Sequence, residues 1–112
     1  MHHPTEAQLL RIFIGESDKF GRRLLYEAIV EEAQQHGISG ATVLRGIMGF
    51  GADKQLRTAK LLRLSEDLPI VIEIVDTSER IASLLPTLNT MIPKGLLTLE
   101  TIHCITFPKT NM

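Results

Sequence analysis

The sequence has one cysteine, Cys104, no tryptophan, and no apolar run that approaches the roughly 18 residues of a membrane span. A lone cysteine excludes an intrachain disulfide and is typical of a reducing compartment. The N-terminal segment MHHPTEAQ lacks the apolar core of a signal peptide. These absences predict a cytoplasmic protein without membrane insertion.

An excess of charge of one sign is also lacking, because 12 Lys and Arg residues are offset by 13 Asp and Glu residues. The resulting net charge of −1 gives no reason to expect attraction to nucleic acid. The most basic stretch, residues 54–63, contains no aromatic ring that would stack on a base. We therefore expect no nucleic-acid partner.

Motifs typical of catalysis are absent. The sequence contains no Gly-x-Gly-x-x-Gly, no Gly-x-x-x-x-Gly-Lys-Ser/Thr, no Gly-x-Ser-x-Gly and no His-Glu-x-x-His. His103 and Cys104 are neighbours in a predicted strand, so their side chains point to opposite faces and cannot hold one ion within a subunit. A metal site would need a third ligand, such as His36 or a residue of another chain. The sequence predicts neither an enzyme nor a metal site.

Short β-branched runs and amphipathic stretches alternate along the chain. Their periodicities predict strands at Gln8–Gly15, Ala41–Gly49, Pro69–Asp76 and Leu97–Phe107, and helices over Lys19–His36, capped by Ser17 or Asp18, and after Asp76. This order predicts an α+β fold, a ferredoxin-like βαββαβ sandwich with two helices on one face of a four-stranded antiparallel sheet. We expect one domain over residues 1–112, with an N-terminal tail over 1–7 and an extended loop over 52–67.

The two faces of the predicted sheet differ in their chemistry. Alternation along each strand assigns to the helix-covered face a core of Leu10, Ile12, Ile14, Leu44, Met48, Ile70, Ile72, Ile74, Leu97 and Leu99. The other face carries one charge per strand among apolar side chains, which is too apolar for a surface left in water. We therefore predict a closed homo-oligomer whose charges pair within or across subunits. The predicted interface residues are Arg11, Phe13, Val43, Arg45, Ile47, Val71, Glu73 and Glu100.

Two segments are candidates for recognition of a ligand or a partner. Backbone amides of the Gly15–Ser17 turn, at the start of the first predicted helix, would present positive partial charge to an anion, with Lys94 approaching from the end of the second helix. The segment Ala52–Asp67 carries cations three residues apart, which would line one face of a helical turn. This basic face is either simply solvated or part of a flexible loop that contacts a partner. The cations are Lys54, Arg57, Lys60 and Arg63.

Four motifs occur together in a specific order: LLYEAIVEEA, GATVLRGIMGFG, LRLSEDLPIVIEIVD and LLTLETI. In this combination the chain resembles the PII-like family catalogued as domain of unknown function 190. The resemblance implies a trimer of ferredoxin-like subunits, related in fold to PII and CutA proteins, with an adenine nucleotide (AMP, ADP, ATP or cyclic AMP) bound between subunits. It also implies that residues 52–67 form the loop that contacts a target, often a membrane transporter.

The resemblance further implies where a ligand would bind. Gly49-Phe50-Gly51 is similar to the PII segment at the base of the loop, Thr42 lies on the equivalent strand, and Pro93-Lys94-Gly95 stands where PII proteins have a phosphate-binding loop. With the first turn included, the expected ligand residues are Gly15, Ser17, Thr42, Gly49, Phe50, Gly51, Lys94 and Gly95. The sequence departs from PII proteins directly afterwards, because Ala52 and Asp53 replace Arg-Gln and Asp53 would repel a phosphate.

Two classes of function therefore follow from the sequence. One is a regulator in which a bound nucleotide orders the loop for its target. The other is an interaction protein that uses the same loop without a ligand. A CutA-like metal-binding protein is a further alternative.

Overall fold

The computed structural model describes residues 3–60 and 67–108. The strands are β1 (Thr5–Gly15), β2 (Lys19–Phe20), β3 (Arg23–Leu24), β4 (Ala41–Arg45), β5 (Met48–Gly49), β6 (Arg57–Thr58), β7 (Pro69–Asp76) and β8 (Leu96–Cys104), and the helices are α1 (Leu25–Gln35) and α2 (Ser78–Met91). The main sheet has four antiparallel strands in the order β4-β7-β1-β8. This is the ferredoxin-like order, and the predicted α+β sandwich is confirmed.

The core lies between the sheet and the helices. Alternate residues of the two central strands point toward the helices because side chains alternate faces along a strand. Ile12, Ile72 and Ile74 are completely buried there, and Leu25, Ile29, Ile81 and Leu84 meet them from the helices. Each such side chain contributes about 1.5–3 kcal/mol of apolar burial, and together they hold the two central strands rigidly against the helices.

Helix α1 begins later than predicted, at Leu25. The stretch from Lys19 to Leu24 forms a two-stranded hairpin instead, whose turn contains Gly21 at a φ of 64°. The N-cap residue is Leu24, which makes no side-chain capping bond, so the prediction that Ser17 or Asp18 caps the helix is wrong. A left-handed glycine reverses the chain at this point, and a reversed chain cannot continue as a helix.

Strand β1 begins at Thr5, so the prediction of a tail over residues 1–7 is wrong from Thr5 onward. The added residues pair with β8, and this pairing runs from Thr5 opposite Cys104 to Phe13 opposite Leu96. The longer first strand therefore gives β8 a partner along its whole length.

Strand β4 presents its faces the other way round from the prediction. Val43 lies opposite Ile72 and packs on the core, whereas Leu44 lies opposite Val71 on the face away from the helices. Leu44 is consequently 48% exposed, and Met48 belongs to the separate strand β5. The pairing register with β7 decides this, because a shift of one residue exchanges the two faces of a strand.

The edge strand β8 is exposed along most of its length. Leu97 and Leu99 lie opposite Ile12 and Leu10 as expected, yet they are 36% and 47% exposed, so their predicted place in the core is wrong. The helices contact the sheet mainly over its other strands and leave this edge uncovered. Neither helix in the described part of the chain is long and apolar enough to cross a membrane.

Candidate functional site

A cleft of about 580 Å³ lies where the ends of β1 and β7, the segment after β5 and the exit of α2 meet. It brings together five of the residues expected to bind a ligand, namely Gly49, Phe50, Gly51, Lys94 and Gly95. The rest of its described lining consists of Phe13, Ile14, Asp18, Ala52, Asp53, Lys54, Gln55, Arg57, Asp67, Pro69, Ile70 and Leu96. Segments more than 40 residues apart in the chain therefore form one concave site.

Two of the cleft glycines are required by close packing. A Cβ at Gly95 would lie 3.0 Å from the carbonyl oxygen of Phe13, and a Cβ at Gly49 would lie 3.0 Å from Cγ of Pro69. Side chains there would push the backbone outward, so glycine keeps the floor of the cleft in place. A Cβ at Gly51 would meet nothing within 4 Å.

Arg57 joins two carboxylates at the wall of the cleft. Its Nη2 lies 3.1 Å from Oδ2 of Asp53, and its Nη1 lies 3.5 Å from Oδ2 of Asp67. The backbone N–H of Gln55 donates to Oδ1 of Asp53 at 2.9 Å. This bond is the main cause that lowers the pKa of Asp53, and Arg57 and the charge of Lys94 lower it further. Asp53 is therefore a fixed anion of the cleft at neutral pH.

The Gly15–Ser17 turn does not have the geometry that the sequence predicts for an anion site. It precedes a hairpin and not a helix, so it has no helix dipole behind it. Its amides already have partners, because Gly15 donates to Oδ2 of Asp18 at 2.9 Å and Ser17 donates to Oδ1 of Asp67 at 2.8 Å. Gly15 and Ser17 thus hold the cleft carboxylates in position, and neither lines the cleft itself.

The remaining expected ligand residue and the loop cations are distributed differently. Thr42 lies opposite Glu73 in the main sheet and does not line the cleft. The described part of the loop is not helical, because Arg57–Thr58 pairs as a strand with Met48–Gly49. Lys54 has a φ of 62° and its Nζ lies 5.8 Å from the centre of the Phe50 ring. Lys60 is exposed at the end of the described segment, and Arg63 lies outside the described residues.

The sheet face away from the helices, here called the open face, contains a row of apolar side chains across all four main strands. The register aligns Leu44, Val71, Phe13 and Leu96 side by side. Leu96 is 60% exposed, and Phe13 and Leu44 are also exposed. A continuous apolar row of this kind is unusual for a surface in contact with water.

The charges of the open face converge on one arginine. Arg11 Nε lies 2.9 Å from Oε2 of Glu73, and its Nη1 lies 2.7 Å from Oε1 of Glu100. The hydrogen bond to Glu73 is the main cause that raises the pKa of Arg11. Arg45, which the sequence placed among these charges, instead pairs with Glu16 at 2.9 Å, and this bond raises the pKa of Arg45. Val43 and Ile47, which the sequence also placed on this face, lie elsewhere. Val43 faces the helices, and Ile47 follows the end of β4.

Sequence reasoning missed three lining residues that matter for the cleft: Asp18, Arg57 as a cleft residue, and Asp67. Asp67 directly precedes Leu68 and the strand β7, and this position at a strand end was the only local signal that it could face a site.

No group of three or more His, Cys, Asp or Glu residues within the described part of the chain is arranged to hold a metal ion.

Comparison with known proteins identifies the family. The family model described as DUF190, Uncharacterized ACR, matches residues 7–104. A UPF0166 protein of Aquifex aeolicus is 40% identical over 101 residues, which cover 90% of this chain and 95% of that protein. The solved structure of CPII, a nitrogen regulatory PII-like protein from Thiomonas intermedia K12, has 18% identity, covers 91% of each chain and has a TM-score of 0.66. CutA from Synechococcus elongatus has 12% identity, covers 94% of this chain and 83% of that chain, and has a TM-score of 0.59. The chain therefore belongs to the DUF190, or UPF0166, family and has a PII-like ferredoxin-type fold.

Proposed function

We propose that this chain is a PII-like regulatory protein that binds an adenine nucleotide in the cleft and passes the binding event to a target through residues 52–67. The observation that carries the proposal is the convergence of Gly49–Gly51, at the base of the loop, with Lys94 and Gly95 in one cleft. Its volume of about 580 Å³ falls in the usual range for small-molecule sites, roughly 300–1,000 Å³. The CPII structure with the same fold is described as bound to ADP, AMP and bicarbonate, which supports a nucleotide as the ligand class.

The lining suits the two halves of a nucleotide. Phe13, Phe50 and Leu96 offer apolar and aromatic surface for a base. Lys94 supplies a cation for a phosphoryl group, and Gly95 beside it packs its backbone closely on Phe13 and Ile14, which fixes the position of the chain next to Lys94. The proposed role is binding without turnover, so nucleotide recovered after prolonged incubation should be unchanged.

The proposal includes assembly into a closed homo-oligomer, the trimer that the family resemblance implies. The apolar row Leu44-Val71-Phe13-Leu96 supports it, because a second copy would remove that row from water. The paired charges of Arg11, Glu73 and Glu100 also support it, since ions that are already paired are less costly to cover.

A second candidate function is favoured by the hairpin β5–β6. Ile47, Phe50 and Leu56 are all exposed around it, which is typical of a surface that contacts another protein. The chain would then be an interaction protein that uses the hairpin without a ligand. The target of either form is a protein, for which the family resemblance suggests a membrane transporter.

Calorimetric titration with AMP, ADP, ATP and cyclic AMP tests the proposal. We expect at least one of these to bind with a Kd below about 1 mM, and Lys94→Ala to weaken that binding about tenfold through the loss of one charge-assisted contact. Lys19→Ala is the matched control, because Lys19 is an exposed lysine that does not line the cleft. Failure of all four nucleotides to bind would refute the nucleotide-sensing role and favour the ligand-independent interaction protein.

A further inference from the structure

We propose that the cleft selects a ligand with a single phosphoryl group, such as a nucleoside monophosphate, over a nucleoside triphosphate. This inference rests on the proposed nucleotide binding and adds the charge class of the ligand. It follows from the way the cleft's own carboxylates are paired with its cations.

The charged residues of the described lining balance one another. They are three aspartates and three cations: Asp18, Asp53, Asp67, Lys54, Arg57 and Lys94. Sites that bind several phosphoryl groups need cations or metal ions to offset the accumulated negative charge. The described part of the lining offers no such excess, so each added phosphoryl group brings negative charge without a new partner among these residues.

Arg57 is the cation whose geometry would best suit a second phosphoryl group, since a guanidinium donates two parallel hydrogen bonds. Both of its ends are already engaged, with Asp53 at 3.1 Å and Asp67 at 3.5 Å. Its side chain is only 29% exposed, so it is not free to swing away from both carboxylates. A phosphate that bound Arg57 would lie beside at least one carboxylate.

The two carboxylates cannot easily withdraw. Asp67 accepts a hydrogen bond from the backbone N–H of Ser17 at 2.8 Å, and Asp53 accepts one from the backbone N–H of Gln55 at 2.9 Å. These bonds hold the carboxylates in place independently of Arg57. The lowered pKa of Asp53 keeps its charge throughout the neutral range.

Lys94 is differently placed, because it forms no ion pair with any described residue and acts on Asp53 only through its charge. It is adjacent to Gly95, whose backbone packs closely on Phe13 and Ile14 and so has a fixed position. Lys54 also lines the cleft, and its Nζ lies 5.8 Å from the centre of the Phe50 ring. The combined charge of these two lysines matches that of one phosphoryl group, about −2 at neutral pH. The charge of a triphosphate exceeds it.

Titration of the wild-type protein with AMP and ATP, in chelator and at fixed ionic strength, measures this selectivity. We expect AMP to bind about tenfold more tightly than ATP, since even one extra like-charge contact in a water-exposed site weakens binding by several fold. Asp53→Asn removes one charge but keeps the Oδ1 acceptor for Gln55. This variant should reduce the ratio of ATP to AMP dissociation constants about fivefold. Asp67→Asn should act in the same direction and keeps its acceptor for Ser17.

Glu79→Gln is the matched control. It removes one negative charge in the first turn of α2, roughly 20 Å along the helix from the Lys94 end, and so should leave the ratio unchanged. Wild-type protein that binds ATP as tightly as AMP would overturn the charge-class inference and leave nucleotide binding in place. An unchanged ratio in both aspartate variants would also overturn it. If neither nucleotide binds, the proposed function falls, and this inference falls with it.

Discussion

Replacing Leu44 with lysine separates the stability of the subunit from the stability of the proposed assembly. Leu44 is 48% exposed on the open face, so only about half of its side chain is buried within the subunit. Full burial of a leucine contributes about 1.5–3 kcal/mol, and the methylenes of a lysine retain part of what the buried half contributes. We therefore expect Leu44→Lys to lower the free energy of unfolding of the subunit by about 1 kcal/mol or less.

The cost to the assembly is larger for two reasons. Covering the open face would bury the exposed half of Leu44, so the variant loses about 1 kcal/mol of apolar burial for each subunit. The new ammonium group also enters the covered face without a free partner, since the nearby Glu73 is already bound by Arg11 at 2.9 Å. An unpaired charge in an interface costs several kcal/mol, so the assembly should weaken by about 100-fold or more.

Analytical ultracentrifugation at micromolar concentration, together with thermal unfolding followed by circular dichroism, measures both effects. We expect the wild type to sediment as a closed oligomer and Leu44→Lys to sediment as a folded monomer. Leu56→Lys makes the same change at a residue that is 56% exposed but lies off the main sheet, and it should assemble normally. A monomeric wild type, or a Leu44→Lys variant that assembles as the wild type does, would refute the argument for the open face.

Three further predictions concern the cleft and the core. Gly95→Ala should lower the free energy of unfolding by about 1–3 kcal/mol, because the new Cβ would lie 3.0 Å from the carbonyl oxygen of Phe13. Gly51→Ala should melt as the wild type does, because its Cβ would meet nothing within 4 Å. Equal melting temperatures for the two variants would contradict this reasoning. The pKa of the Asp53 carboxyl should lie below its usual value of 3.8. The stabilisation by its hydrogen bonds is then present at neutral pH and is lost as the pH falls through this lowered pKa. A midpoint at or above 3.8 in an NMR titration would show that these bonds do not form in solution. Ile72→Ala, at a completely buried position in β7, should destabilise by about 2–5 kcal/mol in chemical denaturation, and a loss below about 1 kcal/mol would mean that the core is not packed there as described.

The sheet and its core were predictable because their pattern is local. In β7 the isoleucines at positions 70, 72 and 74 alternate with less apolar residues, and all three are buried as the alternation requires. Strand β4 carries no such pattern, since Val43 and Leu44 are both apolar and either could face the helices. The register with β7 decides between them, and that register depends on tertiary pairing.

The start of α1 was mispredicted because the apolar spacing extends beyond the helix. Phe20 and Leu24 continue the helical stripe in sequence, yet Phe20 lies in a hairpin and is exposed. Gly21 was the local sign of a turn, and its positive φ is what ends the pattern. Amphipathic spacing alone cannot distinguish a first helical turn from a short hairpin that precedes it.

The cleft was predictable in its glycines and not in its charges. Gly49 and Gly95 are recognisable because close packing restricts a position to glycine, and a family resemblance carries such positions over directly. The triad of Arg57, Asp53 and Asp67 depends on where the loop returns to the sheet. The sequence predicts that Asp53 repels a phosphate, and this stays a prediction. The structure adds that Asp53 is paired with Arg57, which the sequence did not predict.

The proposed ligand binding and the proposed assembly would be coupled, because the cleft and the open face share two residues. Phe13 and Leu96 line the cleft and are also members of the apolar row across the sheet. A second copy that covers the row would therefore approach the mouth of the cleft, and a ligand in the cleft would contact side chains that the second copy also contacts. Because any ligand that binds only the assembled form stabilises that form by mass action, nucleotide should shift the oligomer equilibrium, and disruption of the row at Leu44 should weaken nucleotide binding although Leu44 does not line the cleft.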